Sequence, residues 1–91
     1  MNEIEVNISS TFARYTNNQL VVKVKGNTVG ECLDHLVKQF PDLKQVLFDQ
    51  EGKLHRYIDI YVNDASAYPE ELARPVKDGD RLHIMMIIAG G

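Results

Sequence analysis

Apolar residues recur at every second position in three stretches of the chain. Ile4, Val6 and Ile8 enclose Glu5 and Asn7; Leu20, Val22 and Val24 enclose Val21 and Lys23; Ile58, Ile60 and Val62 alternate with Tyr57, Asp59 and Tyr61. A period of two is that of a half-buried β-strand, because successive side chains point to opposite faces. Between the first two strands, residues 9–18 are polar and include Asn17-Asn18, which predicts a hairpin with a long loop. After Gly26-Asn27 the period changes. Val29, Cys32, Leu33, Leu36, Val37 and Phe40 fall on one face of a helix, with Asp34, His35 and Lys38 opposite. Thr28 and Glu31 have the spacing of a capping box, in which the hydroxyl accepts from the N–H three residues on and the carboxylate reaches back to the N–H of Thr28. Pro41 has no N–H and stops the helix. Leu43, Val46 and Leu47 predict one further helical turn, and residues 49–53 a polar loop around Gly52. Past the third strand, Asn63-Asp64 reads as a turn. Residues 65–76 carry Pro69 and Pro75 and have room for a short edge strand at most. Asp78-Gly79-Asp80 is a tight turn into a last strand over residues 81–87.

One amphipathic helix amid four or five strands covers one face of a small mixed sheet, which makes an α+β domain. Folds with this element order, the β-grasp arrangement, place the first and last strands side by side and parallel in the middle of the sheet. Periodicity alone does not fix that pairing.

The last strand breaks the pattern. Leu82, Ile84 and Met86 suffice for the helix-covered face, yet Met85 and Ile87 are apolar too, with His83 between the inward positions. A single helix cannot cover both faces, so the surplus is expected on the open one, beside Tyr57 and Tyr61 if the last and third strands pair. An exposed apolar patch of this kind marks a docking surface, and methionine adapts to several partners.

Composition excludes more than it identifies. The 91 residues suit one domain, read here as spanning 1–91 with a flexible tail at about 88–91. Thirteen acids against ten bases give a net charge of −3, and no run of Lys or Arg offers a grip on nucleic acid phosphates. The apolar run over residues 84–89 is far below the ~20 residues of a membrane span. No signal-peptide pattern follows Met1, so a cytoplasmic location is expected. The single Cys32 leaves no disulfide framework, and its place on the apolar helix face reads as a buried thiol. His35, His55 and His83 lack ligand spacing, so no metal site is expected. No catalytic machinery is recognisable, and the chain is expected not to be an enzyme.

The chain closes with Ala89-Gly90-Gly91. Glycine has no Cβ, so such an ending can thread a narrow channel and present its α-carboxyl group inside another protein's active site. A carboxylate, with a pKa near 3.5, is a poor electrophile and needs activation before acyl chemistry. With Asn63-Asp64, the Asp78-Gly79-Asp80 turn and the closing strand, this ending resembles the ubiquitin-like sulfur carrier family, which includes the small subunit of molybdopterin synthase and the thiamine sulfur carrier. Residues 52–56 (Gly-Lys-Leu-His-Arg) and 60–64 (Ile-Tyr-Val-Asn-Asp) resemble the carriers of thiocarboxylate-dependent cysteine synthesis. That resemblance implies that an activating enzyme adenylates Gly91 with ATP and that sulfur then replaces the adenylate to give a thiocarboxylate. A PLP-dependent cysteine synthase takes the sulfur, and a zinc metalloprotease frees the product. Molybdopterin or thiamine synthesis, or lysine modification through Gly91, are the alternatives. No bound cofactor is implied. Relatives often carry a proline shortly before the tail, where this chain has Met85-Met86.

Overall fold

The computed structural model describes residues 2–87; Ala89, Gly90 and Gly91 lie outside the described residues, as does the predicted tail. Five strands form one sheet: β1 (Glu3–Ile8), β2 (Val21–Lys25), β3 (Ile58–Val62), β4 (Ala65–Ser66) and β5 (Arg81–Met86), in the order β2-β1-β5-β3-β4. β1 and β5 are parallel neighbours at the centre, and every other pairing is antiparallel. This is the β-grasp topology. Helix α1 (Val29–Gln39) and the short α2 (Leu43–Leu47) cover one face.

The alternation in the sequence decides which side is which. Ile4, Val6, Ile8, Val22, Val24, Ile58, Ile60, Val62, Leu82 and Ile84 are buried against Val29, Cys32, Leu33 and Leu36 of α1 and Leu43 and Leu47 of α2. The intervening residues form the open face, where Lys23 pairs with Glu3 and Arg81 with Glu5. Such exposed pairs contribute little to stability.

The Thr28 cap forms as expected, its Oγ1 accepting from the Glu31 N–H at 3.1 Å. Glu31 reaches back one residue further than predicted, to the N–H of Asn27 at 2.7 Å. Two polar side chains of α1 also tie it to β2. His35 accepts the Lys25 N–H at Nδ1 (2.8 Å), and Gln39 donates to the Lys23 carbonyl (3.3 Å). Gly26 is required where the chain turns from β2 into α1, since a Cβ there would stand 2.9 Å from the Cys32 backbone nitrogen.

Three expectations change. Residues 9–18 are not an open loop: Ser10–Thr16 is a 3-10 helix that lies against α2 and buries Phe12 and Thr16. The Thr16 hydroxyl donates to the Gln19 carbonyl at 2.7 Å, so the buried polar group is satisfied. Leu20 lies outside β2 and is exposed. The last strand ends at Met86 rather than at residue 87.

Candidate functional site

β5 runs between β1 and β3 and delivers the chain to one end of the sheet. Leu82 and Ile84 point into the core, while His83 and Met85 stand on the open face. Opposite them on β3 are Tyr61, across from His83, and Asp59, across from Met85. Met85 is 47% exposed and Ile87 48%. The apolar surplus therefore meets solvent, as a one-helix fold requires.

Met86 was expected to face the helices; it lies beside Val46 of α2 but remains 39% exposed. Tyr57 also departs from the expected patch. Its carbonyl accepts from the Ile87 N–H at 2.7 Å, which extends the β3–β5 pairing one residue past the strand. Its ring, however, turns toward α2: the hydroxyl lies 3.5 Å from the Val46 carbonyl, and the ring stacks on His55 at 4.8 Å between centroids. Tyr57 thus keeps company with Met86 and Val46 rather than with Met85. Ile87, Arg56, Asp59 and Tyr61 line an adjoining groove. Of the sequence-predicted patch, the structure gathers Met85, His83 and Tyr61 on the open face, sets Ile87 at its border, and moves Tyr57 away.

The turn residues gather at the other end of the sheet. Asn63 and Asp64 adopt positive φ, 50° and 72°, between β3 and β4. Asn63 Nδ2 donates to Asp80 Oδ1 (2.9 Å), and its Oδ1 accepts the Arg81 N–H (3.0 Å). Asp78 accepts the Glu3 N–H (2.7 Å), while the Gly79 N–H donates to the Glu3 carbonyl (3.0 Å). The Asp-Gly-Asp segment is therefore more than the local turn expected of it. It clamps the start of β1 and the β3–β4 turn to the start of β5.

The Asn63 amide, followed by the Lys77 backbone N–H, holds the Asp80 carboxyl below the usual carboxylate range. The backbone N–H of Lys53 does the same for Asp49. A folded-state pKa below the unfolded one contributes stability above the unfolded value, near 3.9, and that contribution disappears as pH falls through the folded value. The melting temperature is thus expected to fall as the pH drops below about 4. Thermal denaturation across an acid series should show a smaller fall in Asp80→Ala, which starts from a lower plateau.

Cys32 is fully buried, and burial, with the nearby Glu31 charge second, pushes its thiol up to about 11. A thiol held protonated is a poor nucleophile. Cys32→Ala is expected to lose about 1–2 kcal/mol from the vacated volume and to keep the wild-type fold. Denaturant unfolding and circular dichroism check the two halves. Among the described residues, no group of three or more His, Cys, Asp or Glu is placed to hold a metal ion, and no helix is long and apolar enough to cross a membrane.

The profile of the ThiS family matches residues 6–91. The chain belongs to the ThiS family of ubiquitin-like sulfur carriers. The sulfur carrier protein CysO of Mycobacterium tuberculosis is 33% identical over 91 residues, 97% of this chain and 98% of that protein. Among solved structures, the Amycolatopsis orientalis BexX/CysO complex contains a chain 37% identical, with a TM-score of 0.87 over 97% of this chain and 99% of that one. SAMP1, a small archaeal modifier protein of Haloferax volcanii, superposes with a TM-score of 0.86 at 27% identity, covering 99% of this chain and 100% of that one.

In this ThiS-family domain, sequence reasoning missed one side of the sheet end at which β5 finishes. Arg14 and Tyr15 belong to the 3-10 helix after β1, and they line a hollow with Tyr57 and Met86. The signal was present: Phe12, Tyr15 and Thr16 fall at helical spacing within a stretch that reads as polar.

Proposed function

We propose that the protein is a stoichiometric sulfur carrier whose reactive group is the Gly91 carboxyl. The family match that runs through residue 91 carries this reading. The Gly91 carboxylate attacks ATP on an activating enzyme, releasing pyrophosphate and leaving an acyl adenylate. A sulfide-equivalent nucleophile then displaces AMP to give the thiocarboxylate. The resemblance of residues 52–56 and 60–64 to the carriers of cysteine synthesis supports an acceptor of that kind, namely a PLP-dependent synthase followed by a zinc metalloprotease that releases the product. Ala89 and Gly90 thread the tail into each partner. The open-face residues Met85, His83 and Tyr61, with Ile87 at the border and Tyr57 adjoining, dock the domain so that the tail enters. The exposure of Met85 and Ile87 at the end of β5 supports that role.

The likeness to SAMP1 favours a second reading, in which Gly91 ends in isopeptide bonds to lysines. Intact-mass analysis of the protein recovered from its own cells separates the two. Exchange of one oxygen for sulfur at Gly91 supports the carrier, and attachment to lysines supports the modifier. Recovery of the unaltered chain alone under sulfur demand overturns both.

A further inference from the structure

We infer that His55, stacked on Tyr57, is a positioning residue that pins the root of the C-terminal tail to helix α2; its effect on chemistry rests on the carrier reading above. Residues 52–56 carry one of the sequence resemblances, and the fold gives them a physical task. Gly52, at φ 81°, and Asp49, whose Oδ1 accepts the N–H groups of Glu51 (2.8 Å) and Lys53 (3.0 Å), turn the chain back toward the end of α2. The Phe48 N–H makes the last bond of that helix, to Lys44, which leaves the carbonyls of Gln45, Val46 and Leu47 without partners inside it. The His55 N–H donates to the Leu47 carbonyl at 2.9 Å, and His55 Nε2 lies 3.1 Å from the Gln45 carbonyl. A carbonyl only accepts, so Nε2 carries the proton. One histidine thus closes the helix with both its backbone and its ring.

The same residue reaches the tail. Its ring lies flat on that of Tyr57, with 4.8 Å between centroids and 9° between planes. The Ile58 N–H donates to the His55 carbonyl at 3.0 Å, closing a turn that contains Tyr57. The Tyr57 carbonyl in turn accepts the Ile87 N–H at 2.7 Å, the last bond of the β3–β5 ladder among the described residues. Bonded pairs alternate along an antiparallel ladder, so the next one back is Asp59–Met85. Release of Ile87 would therefore add two residues, ~7 Å of contour, to the tail. The Gly91 carboxyl would then explore a larger volume around the docked domain, and fewer of its positions would be aligned for attack on ATP. Docking through Met85 would be unchanged.

The test joins amide hydrogen exchange to adenylation kinetics. In His55→Ala, the Ile87 amide is expected to exchange at least about tenfold faster, relative to the His83 amide of the same strand, than in the wild type. With the activating enzyme from the same source, kcat for ATP–pyrophosphate exchange should fall at least about tenfold, while KM stays within about threefold. His55→Gln keeps an N–H donor for Gln45 without the stack and should fall between the two; it carries the test if the alanine variant unfolds. His35→Ala breaks a histidine-to-backbone bond at β2, the far edge of the sheet, and should lower the melting temperature but leave kcat unchanged. An equal fall in kcat there would reduce the effect to general destabilisation and overturn the proposal. Wild-type protection of Ile87 in both His55 variants would overturn the anchor, and a freed Ile87 amide with wild-type kcat would overturn its part in positioning. A wild-type chain that the enzyme does not adenylate would overturn the carrier reading instead, with the exchange result still deciding the anchor.

Discussion

A protein lacking Gly91 is expected to melt with the full-length chain and to take up no sulfur. Extension by one residue past Gly91 is expected to have the same outcome. The core of Ile4, Val6, Leu33, Leu36, Leu82 and Ile84 lies well before the terminus, and a terminal residue as a rule adds little to stability. Chemistry at an α-carboxyl group, by contrast, depends on position. The activating enzyme fixes the distance from its docking surface to its nucleotide, and one residue more or less displaces the carboxyl by about 3.4 Å. A displacement of 1 Å can cost a hundredfold in rate, so the loss should be complete on the scale of an assay. Intact mass after incubation with the activating enzyme, ATP and a sulfur donor reads the result. Thiocarboxylate on either variant would remove Gly91 as the reactive terminus.

Met85→Asp is expected to weaken binding to the activating enzyme by more than tenfold, about 1.4 kcal/mol, with a small change in melting temperature. Met85 is 47% exposed on the open face, so little core packing is lost. The new carboxylate would face Asp59 directly across the β5–β3 pair, and like charges at that spacing are destabilising. Met85→Lys separates the effects, because it places a cation opposite Asp59 while still polarising the patch. Both variants should bind poorly, and Met85→Lys should melt at least as high as Met85→Asp. Tight binding by the lysine variant would show that charge repulsion, and not loss of an apolar contact, was responsible. Global unfolding of both would make Met85 a core residue.

Much of this fold was legible because its parts obey single periods. β1, β3 and α1 each present one clean apolar face, and Thr28 and Pro41 bracket the helix within a residue of its observed ends. The strand order was legible only through resemblance, since nothing in the alternation of Ile4 or Leu82 says which strand is its neighbour. Two kinds of feature escaped. The short helix Ser10–Thr16 carries its helical spacing on Phe12, Tyr15 and Thr16 alone, and Phe12 was hidden among polar neighbours. Long-range side-chain bonds also leave no local trace. Asn63 and Asp80 each look like turn residues, and only the folded chain brings them to 2.9 Å. At the site, exposure of Met85 followed from counting faces. The rotation of Tyr57 toward Val46 did not, because it depends on where α2 ends.

The two bonds from α1 to β2 also close one edge of the sheet. β2 is one of the two edge strands, and Leu20, the residue before it, accepts from Ile8 of β1. The backbone groups of Val21, Lys23 and Lys25 accordingly face away from the sheet, where they would template an incoming strand. His35 occupies the Lys25 N–H and Gln39 the Lys23 carbonyl, one helical turn apart, so the helix that covers the core also blocks the margin of the sheet. The flanking lysine side chains add repulsion between like edges. The β2 edge is thereby shielded against strand addition, while Met85 and Ile87 stay exposed at the end of β5.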